Sequence, residues 1–597
     1  MKIIRCSSIE LEQLNDDVFD LIVFSTYFNP QSKLKPIAKV ELDSHVPISV
    51  SSLENVRFCS NLVNRGGIFA VYGIPYDLPF YATYLENLDD NKLHFVFRHW
   101  ISLDIDLLPA KETLQPSHQG LLLMVKSAKE NMMADGFHLD PSQCKVPHRY
   151  CEACGNNIKD WGGKKHLMNP EGSAISDVWS DLPKQLIKDN EIPEEVLKRL
   201  LLMFDDSARV LIVKEANTGS SKKAKITAKL NNVLSYRQNL DNLSNENQNI
   251  DVDSAKIEFN KVYQEDCVTL MKRISREYPL GVFDLVFADP PYNLVKSYEK
   301  YADDKSKIDY IKWCNEWLWL CTQVLKPGGA LMILNLPKWT IYHSVFLDQF
   351  LEFRHWICWD AMSDPRGKIL PAHYSLLYYT KAGAPIKYRY NSITDDSNSD
   401  YVNPPDAPIY CLRQSCIKNR KKLGDDKKKD LSDIWSDVHR IKHKRDRDYH
   451  PCQLPEKLMD RIIRLTTDPQ DKVFDPFGGV GTTALISQRL SRQYITSEID
   501  PLYVQIINEK LQTDQYNLDL FGVPLMKTVA RKQKASDYTK KEVETALQRM
   551  AKQLGRLPTL EEIQKDAPWI FKASEELYPE GIKRPLKAAK LVLVNKG

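Results

Sequence analysis

The tetrapeptide Asp289-Pro290-Pro291-Tyr292 closes the apolar run Val282–Ala288, and its residue types suit one kind of chemistry. Two consecutive prolines fix φ and remove two backbone donors, which gives a stiff turn with free carbonyls pointing outward. An amine attached to an aromatic ring is a poor nucleophile, because its lone pair is delocalised into the ring. Asp289, together with the Pro290 carbonyl, can accept that amine's hydrogens and localise the pair toward an electrophile. Tyr292 offers an aromatic face to an extruded base, a stacking worth about 1–3 kcal/mol. The tetrapeptide alone is also compatible with a simple turn that ends a strand.

A second loop narrows the choice. Lys472–Asp475 runs into Pro476-Phe477-Gly478-Gly479-Val480-Gly481-Thr482-Thr483, which reads as a strand, a glycine-rich turn and the start of a helix. Glycines let a ligand approach the backbone, and the amides at a helix start favour a carboxylate. No lysine follows as in a phosphate-binding loop, which disfavours ATP. The next strand-like stretch, Tyr494–Asp500, carries Glu498, where an acidic side chain can accept both ribose hydroxyls of a nucleoside.

Both loops need a scaffold whose strand ends meet. Residues 1–213 and 257–512 each alternate apolar strands with amphipathic stretches, the pattern of an α/β unit with a mainly parallel sheet. Ligands gather at the carboxyl edge of such sheets. The two halves also repeat. Phe19–Asn29 lies over Phe283–Asn293 without a gap, and Asn64–Phe69 answers Lys326–Leu331. FRHWISLD at Phe97–Asp104 matches FRHWICWD at Phe353–Asp360 at six of eight positions, with an offset of 256. SDVWSD at Ser176–Asp181 matches SDIWSD at Ser432–Asp437 at five of six, with the same offset. A fused duplication explains two tryptophan-containing matches at one offset better than shared composition does. The expected organisation is a first half over 1–213, a mobile Asn-, Ser- and Lys-rich connector over 214–256, a second half over 257–533 and a small helical piece over 534–597.

Taken together, Asp289–Tyr292, Asp475–Thr483 and His450-Pro-Cys-Gln-Leu-Pro455 resemble the motifs of the amino-group DNA methyltransferases. The order, catalytic loop before cofactor loop, is similar to their β-type arrangement, and the resemblance covers roughly Ile257 to Leu511. It implies a Rossmann-like unit that takes S-adenosylmethionine and methylates an exocyclic amine of double-stranded DNA after flipping the base. It also implies Gln453, Asp475, Phe477, Gly478, Gly479, Gly481, Thr482, Thr483 and Glu498 about the cofactor, with Asp266 near its adenine. Aspartate at position 289 favours N6 of adenine, since enzymes acting on N4 of cytosine more often carry serine there. Cytosine N4, an RNA substrate and a non-catalytic nucleic-acid-binding protein with a vestigial fold are the alternatives; the intact Asp289 and glycine loop argue against the last. The fold class expected is therefore α/β: two Rossmann-like methyltransferase units, the first degenerate, plus a small C-terminal helical domain.

The first half lacks both loops. Ser25-Thr26-Tyr27-Phe28 stands in the place of Asp289–Tyr292, and Arg209–Val213 leads into Lys-Glu-Ala-Asn-Thr-Gly without a Gly-Gly-x-Gly pattern. That half is expected to be catalytically dead. Many β-type relatives are homodimers, so it would take the second subunit's place in a monomeric, intramolecular pseudodimer and position DNA; the rival reading is that it only stabilises the second half. Target reading in this arrangement falls between the loops, about 339–449. There Lys418, Arg420, Lys421, Lys422, Arg440, Lys442, Lys444, Arg445 and Arg447 can neutralise phosphates. Asp425, Asp426 and Asp430 interrupt the run, which also fits a solvated loop.

Cys151 and Cys154 form a CxxC knuckle, and Cys411 and Cys416 sit at nearly the repeat-equivalent position. One tetrahedral Zn²⁺ held by two cysteines from each half is chemically reasonable, with Cys144 and His148 as alternative ligands. Plain reduced cysteines fit as well, and CxxC near Trp161 is compatible with redox chemistry. The 12 cysteines of the 597-residue chain are scattered, which suggests a reducing compartment. A net charge of +3 is too small to imply a polyanion partner by itself. No long apolar window suggests a membrane span, and acidic residues precede any stretch long enough for a signal peptide. A cytoplasmic protein of prokaryotic or phage origin is expected, and with no nuclease motif a restriction endonuclease would be encoded separately. Near the end, Gly555–Glu562 reads as a helix stop, a turn and a new helix capped by Thr559 with Glu562. That segment resembles small helical DNA-binding repeats and also fits a plain helical appendage.

Overall fold

A computed structural model describes residues 1–14, 17–27, 45–88, 94–106, 114–127, 139–158, 168–184, 191–216, 223–225, 256–294, 304–361, 369–385, 404–406, 409–441, 453–514, 540–554 and 556–567, with Trp569, Ile570, Ala573 and Leu577. The chain divides into a large unit, Met1–Lys442 with Cys452–Gln512, and a smaller one, His443–Pro451 with Thr513–Gly597.

The large unit holds two principal sheets. The first half contributes β1 (Lys2–Ser7), β2 (Phe19–Ser25), β3 (Val63–Gly73), β4 (His94–Asp104), β5 (His118–Ser127), β6 (Val178–Trp179) and β7 (Arg209–Lys214). They lie in the order β1-β7-β2-β3-β5-β4-β6. The second half contributes β8 (Lys261–Tyr263), β9 (Phe283–Ala288), β10 (Leu325–Asn335), β11 (Glu352–Asp360), β12 (His373–Thr380), β13 (Ile434–Trp435), β14 (Lys472–Asp475) and β15 (Gln493–Ser497). Their order is β8-β15-β14-β9-β10-β12-β11-β13. In each sheet one strand, β5 or β12, runs antiparallel to both neighbours and the remaining pairings are parallel. The α/β expectation holds. From β7 and β14 onward the two orders coincide. At the other edge they differ: β1 bonds β7 directly, whereas β15 stands between β8 and β14.

The repeats seen in the sequence fall on equivalent strands. Ser102 pairs with Val178 and Leu103 with Trp179, while Cys358 pairs with Ile434 and Trp359 with Trp435. The Asp of each Phe-Asp-Leu run braces the neighbouring strand, Asp20 accepting from the Arg209 amide and Asp284 from the Lys472 amide, each at 3.0 Å. The paired glycines have a backbone reason. Gly66 and Gly328 hold φ of 76° and 77°, which side chains other than glycine's rarely adopt. A Cβ on Gly67 or Gly329 would lie 2.9 Å from the carbonyl of Asn64 or Lys326. In SDVWSD and SDIWSD the indole of Trp179 or Trp435 donates to the carbonyl of Ser176 or Ser432, both at 2.8 Å. The final aspartate takes a fork of hydrogen bonds from Arg199 or Arg461. Those arginines sit on α2 (Glu194–Leu201) and, in the second half, on the helix Glu456–Thr466, each opened by a proline.

Burial explains the composition of the central strands. Every residue of β9, FDLVFA, is buried, as expected where helices cover both faces of a parallel sheet. Phe19, Ile22 and Phe24 share one core with Phe283, Val286 and Ala288, so a single apolar layer runs through both halves. Leu21 and Val23 face a second core private to the first half apart from Ile369, and Leu285 and Phe287 a third.

The shared layer has a repeated, two-way character. Trp100 stacks on Trp356 with ring centroids 4.0 Å apart and planes 5° from parallel; the two positions differ by the repeat offset. Asp177 accepts from the amides of Ala372 and His373 at 2.7 and 3.0 Å, and Asp433 accepts from the Ser117 amide and hydroxyl at 2.8 Å. Gln115 bridges to Ser432 and Leu370 to Ser176. The helix α1 (Leu78–Glu86) packs on its counterpart Pro337–Leu347, and just before it Tyr76 donates to Asp348 at 2.8 Å.

Within the stretch expected to be a connector, Lys223–Lys225 forms a strand antiparallel to His45–Ser49. Its composition is that of a linker, but the backbone of a short Lys-Ala-Lys run can still pair. Residues 226–255 lie outside the described residues, as does Trp161. No helix among the described residues is long and apolar enough to cross a membrane. In the small unit, the helix Leu560–Asp566 starts on Thr559 with the reciprocal Glu562 bond expected from sequence. It packs Ile563 on Val543, Leu547 and Ala551 of the helix Lys540–Leu554.

Candidate active site

Four neighbouring parallel strands, β8, β15, β14 and β9, end at one edge. Their following residues stand in a row: Asp266, Glu498, the loop Pro476–Gly481, and Asp289–Tyr292. With strands about 4.8 Å apart the row spans roughly 14 Å, the reach of an extended nucleoside with an amino-acid arm. The register brings the two loops level, because Leu285 pairs with Val473 and Val286 with Phe474. Asp289 and Phe477 therefore each follow three residues after a paired position.

Contacts lock the proline turn from behind. The helix α4 (Lys307–Val324), after α3 (Cys267–Glu277), brings the Tyr310 hydroxyl to the Pro291 carbonyl at 2.6 Å. Trp339, on α5 (Pro337–Leu347), donates its indole to the Tyr292 carbonyl at 2.8 Å. Asn335, at the end of β10, donates to the Tyr310 hydroxyl at 3.2 Å. Tyr292 itself is buried at 7% exposure, tilted against Tyr374, and its hydroxyl donates to Asp289 at 2.5 Å. The open stacking face read from the sequence is thus turned inward, because the hydroxyl finds the nearest carboxylate. Replacing Tyr310 with Phe removes one donor and should leave the Pro291 carbonyl unpaired, a cost of about 1–3 kcal/mol. Turnover should fall while cofactor affinity stays unchanged, which steady-state kinetics beside calorimetry would resolve.

The glycine loop is braced in the same way. Asp475 is buried and accepts from the Phe477 amide at 2.9 Å, and burial pushes its carboxyl up to about 6 against the Thr483 and Phe477 hydrogen bonds. It shapes the turn from inside. Phe477 packs edge-on against Trp313 and Trp317, with centroids 5.9 and 5.2 Å away. Trp313 in turn lies 5.7 Å from Tyr310. One aromatic face of α4 therefore touches both loops. A Cβ on Gly478 would come within 2.3 Å of Thr496, so only glycine lets the loop lie flat on β15. The basic helix α6 (Gln414–Leu423) and α7 (Glu456–Thr466) precede this loop in the chain, and α8 (Thr482–Arg489) follows it. Gly481 caps α8 with φ of 78°, and Thr482 and Thr483 are buried in its first turn. The Glu498 carboxylate accepts from the amides of Gly479 and Asp500 at 2.8 and 2.9 Å. The Ile499 amide donates to it as well. Asp266 caps α3 through the amides of Val268 and Thr269. Gln453 is half-buried two residues before Pro455, which opens α7, whereas His450, Pro451 and Cys452 lie outside the described residues.

In the first half, the Tyr27 amide donates to Glu215 at 2.6 Å, so a buried acidic side chain closes the edge where a glycine loop would begin. Ser25 and Thr26 are buried, and Phe28 lies outside the described residues. The four cysteines expected to meet do so. Their sulfurs lie within 4.8 Å of one another. Cys144 instead faces the Arg199 carbonyl at 3.5 Å, and His148 contacts the Asn169 carbonyl at 2.7 Å.

The basic run is only partly what the sequence suggested. Lys418, Lys421 and Lys422 are exposed on α6, and Arg440 is half-buried. Arg420 does not face solvent. It is 1% exposed, pairs with Asp426 at 2.7 Å and lies over the Tyr410 ring. It falls on the helix face turned to the protein, which a count of charges does not reveal. Lys442, Lys444, Arg445 and Arg447 lie outside the described residues.

Sequence comparison agrees with this geometry. The family model described as a DNA methylase of the N6/N4 type matches residues 283–509. A Type II methyltransferase, M.HpaI of Haemophilus parainfluenzae, is 30% identical over 241 residues, 40% of this chain and 70% of that protein. The chain belongs to this DNA methylase family. The chain is also 36% identical over 271 residues to the Type II methyltransferase M.BamHI of Bacillus amyloliquefaciens, 44% of this chain and 60% of that one. It is 26% identical over 262 residues to the DNA adenine methyltransferase YhdJ of Escherichia coli, 42% of this chain and 81% of that one. The chain thus spans less than two thirds of the length of the BamHI enzyme. The matched family region starts at Phe283 of β9 and includes both loops.

Proposed function

We propose that the chain transfers a methyl group from S-adenosylmethionine to an exocyclic amine in double-stranded DNA, N6 of adenine, at one site. The observation that carries this reading is the level pairing of β9 with β14, which sets Asp289–Tyr292 beside Phe477–Gly481. The residues present fit the cofactor: the start of α8 for its carboxylate, Glu498 for its ribose, and no lysine for a phosphate. When bound, it supplies a methyl group on a sulfonium, which is an electrophile. Asp289 and the Pro290 carbonyl accept the amine's hydrogens and steer its lone pair, and the carboxylate is placed to take the proton that leaves. The base must displace the Tyr292 hydroxyl from Asp289, which frees that ring to turn onto the base. Methyl transfer onto DNA followed by nucleoside analysis tests this. N4-methylcytosine as the product would move the substrate without moving the site.

We further propose that the chain is a fused duplication whose first half positions DNA in place of a second subunit. Equal strand orders from β7 and β14 onward, coincident repeats and the Trp100–Trp356 stack support it. Exposed Lys418, Lys421 and Lys422 would then meet phosphates. The relatives named Type II methyltransferases suggest a bacterial restriction–modification setting in the cytoplasm, beside a separately encoded endonuclease.

Glu498 gives a pH signature. Burial raises its carboxyl to about 7 despite three amide donors, Asp500, Gly479 and Ile499. A raised folded value means the charged, ribose-accepting form dominates only above about pH 7. Cofactor affinity should therefore weaken as pH falls through that value, and Glu498→Gln should flatten the dependence, as calorimetric titrations at several pH values would read. A wild-type affinity that stays constant over roughly one pH unit either side of the shifted carboxyl would remove Glu498 from the ribose site.

A further inference from the structure

Four cysteines converge from segments that are far apart in sequence. Cys151 and Cys154 lie on a tight knuckle of the first half, where the Gly155 amide bonds the Cys151 carbonyl at 2.9 Å and Tyr150 bridges Asn157. Cys411 precedes the basic helix α6 of the second half, and Cys416 stands in its first turn. Cys151 lies 3.7 Å from Cys416, and Cys154 lies 3.6 Å from Cys411. Sulfurs about 2.3 Å from a tetrahedral Zn²⁺ sit about 3.8 Å from each other, so these separations suit four ligands of one ion. They are too long for bonded sulfurs, which lie about 2.05 Å apart.

The surroundings suit thiolates. The buried Arg420 guanidinium donates to the Cys416 sulfur and to the Cys411 carbonyl, both at 3.1 Å. A guanidinium cannot accept a proton from a thiol, so this contact needs Cys416 to act as acceptor. Two further contacts already join the segments beside the sulfurs: the Glu152 amide bonds the Ile409 carbonyl at 3.0 Å, and Lys427 pairs with Glu152 at 3.2 Å. Donors that hydrogen-bond to the ligating groups, as Arg420 does, commonly orient them toward a metal.

We propose that Cys151, Cys154, Cys411 and Cys416 bind one Zn²⁺ tetrahedrally, each thiol giving up its proton, and that the ion ties the first-half knuckle to helix α6. The ion would thereby fix the basic helix to the first half independently of the methyl-transfer site. The test uses the full chain purified under reducing conditions without chelator. One zinc per chain by elemental mass spectrometry is expected, with the absorption of tetrahedral thiolate-bound cobalt after exchange. Hydrogen exchange should rise together in 150–157 and in α6 when a chelator removes the metal, while the strands β9 and β14 stay protected. Cys411→Ser should lose the ion and Cys411→His should keep it. Less than a tenth of an equivalent of zinc with no cobalt spectrum would overturn the proposal. Two disulfides in the intact-mass spectrum, or unchanged exchange in both segments on chelation, would also overturn it. Should Cys411→Ser fail to fold, the wild-type metal content and the histidine variant still decide the matter.

Discussion

Asp289→Ala should lower methyl transfer to DNA about 10³-fold or more, within the range for removing a group that manages a proton in the transition state. Cofactor affinity should change less than about twofold, because the carboxylate faces the amine. Tyr292 offers a graded companion. Its hydroxyl occupies Asp289 in the free protein, so Tyr292→Phe should leave transfer near wild type, whereas Tyr292→Ala removes the ring and should cost a further stacking increment of about 1–3 kcal/mol. Single-turnover assays with labelled cofactor read all three variants. Methylation by Asp289→Ala within tenfold of wild type would mean that another acceptor does the work or that the first half carries a second site.

The second large effect concerns stability. Trp100 and Trp356 are each about 1% exposed and stack on one another in the layer common to both halves. Truncating either to alanine should cost about 3–5 kcal/mol. The double variant should cost less than the sum by about 0.5–1.5 kcal/mol, the part belonging to the ring pair itself. Trp100 lies in the half that lacks the Asp-Pro-Pro-Tyr and glycine-rich motifs, yet its loss should lower the denaturation midpoint of the whole unit in one transition. Separate transitions for the halves in urea, followed by fluorescence and circular dichroism, would show that the common layer is not cooperative.

The two loops and their level placement were legible because their motifs are local. A strand ending in Asp-Pro-Pro-Tyr and a strand ending in a glycine turn each announce their own geometry, and parallel pairing brings the ends level. That the four cysteines meet was readable from their nearly repeat-equivalent positions. What holds the loops was not. Tyr310, Trp313 and Trp317 recur at helical spacing, an aromatic stripe that was available as a signal, but its target depends on how α4 lies across the sheet. Trp339 and Asn335 approach from other elements and leave no local trace. Arg420 was misjudged for the opposite reason: a charge run says how many cations are present, not which face of a helix they occupy. Nor did the motif announce that the Tyr292 hydroxyl donates to the carboxylate three residues away.

The direct ladder between β1 and β7, six residue pairs from Lys2–Arg209 to Ser7–Lys214, sets a limit on what substitution can achieve. The strand carrying Glu498 in the other sheet has no counterpart between these two among the described residues. Writing Asp-Pro-Pro over positions 25–27 and glycines after Lys214 would recreate two of the three walls of a nucleoside pocket and leave the third without a floor. Recovery would need a strand threaded through a closed ladder, with six rungs broken and remade at once. Point mutation offers no gradual route through such a step, so the two halves differ in architecture at this edge and not only in the residues of their loops.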